Sequence, residues 1–143
     1  MTTSTDVGGL SRLVSRVGRQ LDARMSDALD VSGISAEQWR VLSVLVPEPG
    51  LTMSEIAFAT SLPAPSISRL VDKLVSDNWI YRRTDSLDRR RILVTFSARG
   101  RTRMKKLERQ GQLLERELAQ AVGAEELASA LAVLGRLSAY LET

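Results

Sequence analysis

LTMSEIAFATSLPAPSISRLVDKLVSDNWIYRRTDSLDRRRILVTFSARG, residues 51–100, changes its apolar period twice, and those changes decide the fold. Residues 52–55, TMSE, have the spacing of a capping box: the threonine hydroxyl is placed for the amide three residues on, and the glutamate reaches back. A short helix should follow through Ile56, Ala57 and Ala59 to about Ser61. Pro63 and Pro65 then force the chain out of the helical region, and Pro65 suits the first position of a new helix, where a missing amide hydrogen costs nothing. The new helix has Ile67, Leu70, Val71 and Leu74 on one face and Ser66, Ser68, Arg69, Asp72, Lys73 and Ser76 on the other. Asp77-Asn78 closes it, since asparagine tolerates the left-handed conformation that follows many helices. From there the period falls to two. Strands are expected over about 80–83 and 91–96, joined by a polar seven-residue loop, and Ser97 can cap the next helix.

Two helices with a tight turn between them, followed by a hairpin, make a winged helix-turn-helix. The flanks are helical. Val7, Leu10, Leu13, Val14, Val17, Leu21, Met25, Ala28 and Leu29 step by threes and fours along one long helix, with Gly33 as the break. SAEQ, residues 35–38, is a second capping box. Its helix carries Trp39, Val41, Leu42, Leu45 and Val46 and must stop at Pro47. Beyond the hairpin, Met104, Leu107, Gly111, Leu114, Leu118 and Ala121 keep a heptad rhythm, Gly123 breaks it, and Leu127, Leu131, Leu134, Leu137 and Leu141 mark a last helix. The fold class is therefore mainly α with a small β-hairpin wing. Its organisation is N-terminal helices over 7–46, a winged lobe over 51–97, and C-terminal helices over 98–143.

Amphipathic helices of this length cannot all be covered by one small lobe, so the terminal segments imply a homodimer. Gly111 in the seam reads either as a close backbone approach or as a tolerated glycine.

Composition excludes much chemistry. The 143 residues contain no cysteine and no histidine, which removes disulfides, thiol redox sensing, thiolate or imidazole zinc sites, and catalysis that needs an imidazole base. No cofactor and no metal is expected, and no enzyme. No stretch approaches the roughly 18 uncharged apolar residues that span a bilayer, and the opening MTTSTDVGG lacks the order of a secretion signal, so no membrane is expected and a cytoplasmic protein is.

The charges are sorted along the chain. Residues 1–62 hold 5 Arg/Lys against 7 Asp/Glu, residues 63–106 hold 12 against 4, and residues 107–143 hold 3 against 6. A basic middle between mildly acidic flanks suits a polyanion, because each cation set against a phosphate releases a counterion. The alternative is a solvated basic face on a protein-docking winged helix without specific DNA binding.

Residues 51–100 also resemble the central segment of MarR-family transcriptional regulators, whose pattern runs L-T-x-x-E-L-A, S-R-L-V-D-x-L, then an arginine and a D-x-R wing before a strand, L-T and Gly. The resemblance implies a winged-helix homodimer that binds double-stranded DNA as a repressor, with affinity set by a small organic effector. Carried over by position, Asp88 and Arg90 fall on D-x-R, where the arginine enters the minor groove and the aspartate holds it. Pro65, Ser66, Ser68, Arg69 and Lys73 form the recognition-helix set, while Arg89 at the tip and Arg91 at the strand start are phosphate partners or solvated. Trp39 and Arg40 are the ligand candidates, although a tryptophan at this position is more often core. Three positions depart from the pattern: Pro63 stands for serine, Asn78-Trp79 for glycine, and Phe96-Ser97 for Leu-Thr.

Overall fold

The computed structural model describes residues 7–143, so the reading of residues 1–6 as lacking a secretion signal lies outside the described residues. Six helices and one hairpin follow in order: α1 (Gly9–Leu29), a 3-10 turn (Asp30–Ser32), α2 (Ala36–Leu45), α3 (Met53–Thr60), α4 (Ala64–Ser76), β1 (Ile80–Thr84), β2 (Ile92–Phe96), α5 (Ala98–Val122) and α6 (Ala124–Leu141). The mainly helical fold with a small antiparallel wing is as the sequence implies.

Both capping boxes form. The Ser35 Oγ accepts from the Gln38 amide at 3.1 Å while Gln38 Oε1 accepts from the Ser35 amide at 2.9 Å. Thr52 and Glu55 repeat the exchange at 3.2 Å in both directions. Each box satisfies two of the donors that a helix start leaves without partners. At α4 the expectation needs correcting. Pro63 is the N-cap, Ala64 the first helical residue and Pro65 the second. The shift is possible because the second amide of a helix also lacks an intrahelical acceptor, so a proline ring is as well tolerated there.

Asn78 takes φ 64° after α4. The Asn78 amide donates to Val75 O at 3.1 Å and the Trp79 amide to Leu74 O at 2.9 Å, which is a Schellman closure with asparagine in place of glycine. The chain then enters β1, whose register with β2 runs from Ile80 opposite Phe96 to Thr84 opposite Ile92. A third edge was not legible in the sequence. Leu51 pairs antiparallel with Val94, through bonds of 3.1 and 2.7 Å, and ties the entry to α3 onto the wing.

The chain divides into two compact units, Met1–Leu107 and Glu108–Thr143. The first holds the core: Met25 and Leu29 of α1, Val41, Leu42 and Leu45 of α2, Ile56 of α3, Ile67, Val71 and Leu74 of α4, then Trp79, Ile80, Val94, Phe96, Met104 and Leu107. Leu70, expected in that core, is only half-buried. In the second unit Gly123, at φ 99°, separates the end of α5 from α6, and α6 buries none of its residues. Among the described residues no single helix is long and apolar enough to cross a membrane.

The tightest point of the first unit is where α5 begins. Ser97 Oγ accepts from the Gly100 amide at 2.9 Å and donates to Asn78 O at 2.7 Å. A Cβ on Gly100 would lie 1.8 Å from the carbonyl oxygen of Trp79, so only glycine fits without moving the backbone. We expect Gly100→Ala to lose about 1 to 3 kcal/mol or more, the range for overpacking a dense interior. Chemical denaturation of the variant checks this, and an unchanged midpoint would contradict the contact.

Candidate nucleic-acid interface

Two elements of the first unit carry exposed cations side by side in the fold, α4 and the wing. On α4, Pro65, Ser68, Arg69 and Lys73 are exposed and Ser66 is half-buried. Their internal contacts are weak: Arg69 Nη2 reaches Ser66 Oγ at 3.5 Å and Lys73 reaches Asp77 at 3.5 Å. Exposed pairs of this kind are worth about 0–1 kcal/mol, so both cations are available to a polyanion. Beside α4 lies a concavity of 320 Å³, bounded by Ser35, Glu37 and Gln38 at the start of α2 and by Ser66, Arg69 and Lys73.

The wing loop folds on its own aspartates. Asp85 Oδ1 accepts from the Leu87 amide at 2.9 Å, the Asp85 amide donates to Arg91 O at 2.9 Å, and the Arg91 amide donates to Asp88 O at 3.0 Å. Asp88 Oδ1 accepts from the Arg90 amide at 3.1 Å and from its Nε at 3.3 Å. The Arg90 side chain is nonetheless 92% exposed. One carboxylate thus shapes the turn and orients a guanidinium whose other nitrogens face outward. Arg89 is exposed at the tip beside it.

Arg91 behaves differently from its neighbours. It stands one residue before β2, and though exposed it is engaged in ion pairs. Its Nη2 donates to Glu55 Oε1 at 2.9 Å, and Nη1 lies 3.9 Å from Asp85 Oδ2. The guanidinium therefore bolts the base of the wing to the first turn of α3. On the opposite side Arg82 of β1 pairs with Asp72 of α4, and Arg83 donates to Pro49 O at 3.2 Å. Sequence reading missed these struts because partners 36 and 10 residues apart follow no local spacing rule. It also missed Arg103, which lies over the Trp79 ring at 3.8 Å and donates to Asp77 O at 3.1 Å, capping the carbonyl end of α4.

The ligand candidates are half-buried. Arg40 Nη2 donates to both carboxylate oxygens of Asp22, at 2.7 and 2.6 Å, so the carboxylate it binds is the chain's own, on α1. Trp39 packs on α2 next to it. Among the described residues no three His, Cys, Asp or Glu side chains gather as metal ligands.

Residues 32–91 match a family model described as MarR family. Over 121 residues the chain is 28% identical to the multiple antibiotic resistance protein MarR of Salmonella typhimurium (strain LT2), covering 84% of each chain. It is 29% identical over 103 residues to an HTH-type transcriptional repressor of Mycobacterium tuberculosis (strain H37Rv), covering 72% of this chain and 74% of that one. Among solved structures, wild-type MarR from E. coli in its apo form superposes with a TM-score of 0.74 at 26% identity, over 90% of this chain and 96% of that one. A mutant MarR from E. coli complexed with operator DNA gives 0.79 at 25% identity, over 96% and 99%.

The Glu55 carboxyl is held below its ordinary value of 4.5, first by the hydrogen bonds it makes with the Thr52 amide and hydroxyl side, then by the Arg91 guanidinium. A depressed folded value stabilises the fold above the unfolded value, and that contribution is lost as pH falls through the folded one. We expect the lobe to lose stability below about pH 4.5, with a shallower acid limb in Glu55→Gln. Thermal midpoints across pH 3 to 7 (about that span) check it; parallel curves for the two proteins would refute the role of Glu55.

Proposed function

We propose that the chain is a MarR-family regulator: a homodimeric, sequence-specific DNA-binding repressor that reads an inverted-repeat operator and responds to a small organic effector. The observation that carries this reading is the wing: Asp88 holds Arg90 by two bonds while leaving its guanidinium almost wholly exposed. A narrow minor groove concentrates negative potential, and an outward guanidinium on a rigid turn fits it. α4 would then place Pro65, Ser66, Ser68 and Arg69 in the adjacent major groove, with Lys73 toward a phosphate. Arg89 adds charge at the tip.

The homodimer is supported by apolar surface that one chain leaves open. On α1, Leu10, Leu13, Val14 and Val17 face outward, and on α6, Leu131, Leu134 and Leu141 do so. Residues 7–46 and 98–143 thus supply the dimer face and 51–97 the DNA-reading lobe. Two-fold symmetry sets the recognition helices about 34 Å apart, one turn of duplex. A non-enzymatic role fits a chain without histidine or cysteine, and a DNA-binding regulator would act in the cytoplasm.

An acidic effector in the concavity beside α4 would occupy Arg69 and Lys73, so it would compete with DNA for the same cations. At Trp39–Arg40 a ligand carboxylate would have to displace Asp22.

Titration of the wild type against duplexes from its own upstream region is the direct test; failure to prefer any of them over random duplex at physiological salt would sink the proposal. Arg90→Ala should lose about 1 to 3 kcal/mol on the operator, and Arg89→Ala should chiefly flatten the salt dependence by about one unit. Equal losses on every sequence for both variants would contradict that division. For the dimer, Leu13→Glu should shift sedimentation toward the monomer while circular dichroism stays helical. A variant that remains dimeric would remove α1 from the interface.

A further inference from the structure

α5 opens with ARGRTRMKK, residues 98–106, which holds Arg99, Arg101, Arg103, Lys105 and Lys106 and no acid. Its first turn carries no acidic residue. The amino end of a helix is the positive end of its dipole, where an acid gains about 0.3–1 kcal/mol and a cation forgoes it. α6 follows that rule with Glu125 and Glu126 in its first turn; α5 reverses it.

Three of the five cations of this segment are also uncommitted, whereas Arg103 is held by Asp77 O and Trp79 and Arg101 lies over Phe96. Elsewhere in the first unit Arg40, Arg82 and Arg91 are bound to Asp22, Asp72 and Glu55. Arg99, Lys105 and Lys106 are exposed and make no ion pair among the described residues. Packing does not account for them, since the buried positions of this segment are Gly100, Met104 and Leu107. Arg99, Arg103 and Lys106 follow spacings of four and three and so share one helix face.

Arg103 fixes where that face lies. Its bond to Asp77 O puts it at the carbonyl end of α4, and Asp77 is eight positions beyond Arg69, about 12 Å along the helix. That distance matches the width of a major groove, about 12 Å. With the start of α4 in the groove, its far end emerges at the flanking backbone, where the α5 face begins.

We propose that the Arg99–Arg103–Lys106 face of α5 is a second phosphate-binding track, which takes the DNA backbone outside the base pairs read by α4 and the wing. This rests on the DNA-binding reading above. The partner is duplex DNA, because the track is continuous with α4 through Arg103 and Asp77. Arg103 positions the track as well as charging it. Arg99 and Lys106 supply charge alone.

The test uses an operator selected by the wild-type protein from a randomised duplex pool, as a core of about 18 base pairs and with about 10 random pairs added on each side. Arg99→Gln/Lys106→Gln is compared with wild type over a salt series, after equal thermal midpoints establish that both are folded. Each phosphate contact steepens the salt dependence by about 0.9. The wild type should therefore be steeper on the flanked duplex than on the core, and the double variant should lose roughly two to four units of that slope in a dimer while matching wild type on the core. Equal slopes for both proteins on both duplexes would overturn the track and leave the operator reading intact. Selection of no operator at all would overturn the DNA-binding reading itself. Wild-type binding to phosphatidylserine vesicles that the variant loses, without any effect of DNA flanks, would also overturn the track and give the patch to a lipid surface.

Discussion

The carbonyl of Trp79 is the point on which the lobe is hung. It accepts from the Ser97 amide at 3.1 Å, and the start of α5 presses against it so closely that residue 100 has room for hydrogen alone. Three elements meet there: the end of α4, the first strand of the wing and the head of α5. Asn78 makes the meeting possible by turning the chain left-handed, and Arg103 covers it from above through the indole ring and the Asp77 carbonyl. Because the junction is close-packed rather than hinged, the orientation of α4 relative to the wing follows from the backbone itself.

The same lobe sorts its cations by task. Arg82, Arg91 and Arg103 spend their donors on Asp72, Glu55 and Asp77 O, whereas Arg69, Lys73, Arg89 and Arg90 face outward. Exposed ion pairs contribute about 0–1 kcal/mol each, so the struts matter less for stability than for position. Arg91 from the wing and Arg82 from its other strand reach α3 and α4 respectively, and together they restrict how far the hairpin can tilt. A guanidinium displaced by about 1 Å from its groove loses much of its directed bonding.

How much of this was legible in the sequence follows from the range of each interaction. Both capping boxes, the Asn78 closure, the seven-residue wing loop and the Gly33 and Gly123 breaks are each decided within a stretch of at most seven residues, and the sequence states them. Asp88 and Arg90 were singled out by the family resemblance, and the structure bonds them to each other. Pro63 and Pro65 were misplaced by one position because a helix start leaves several amides without acceptors, and either of the first two helical positions admits a proline. The Arg91 strut to Glu55 was not foreseen because that partner lies 36 positions away. Arg40 was read as open to a ligand carboxylate for a similar reason, its own being 18 positions away on α1. The pairing of Leu51 with Val94 rests on one residue, and no periodicity can announce a strand of that length.

That small pairing has a topological meaning. Leu51 and Val94 bond each other in both directions, and everything that reads DNA in this proposal, from α3 through α4 to the wing tip, is strung between them. The two residues act as a clasp that closes one loop of chain. Transplanting this specificity onto another scaffold therefore requires seams outside the clasp, before Leu51 and after Val94. A graft of α4 alone would carry the letters of the recognition surface without the ring that holds them in order.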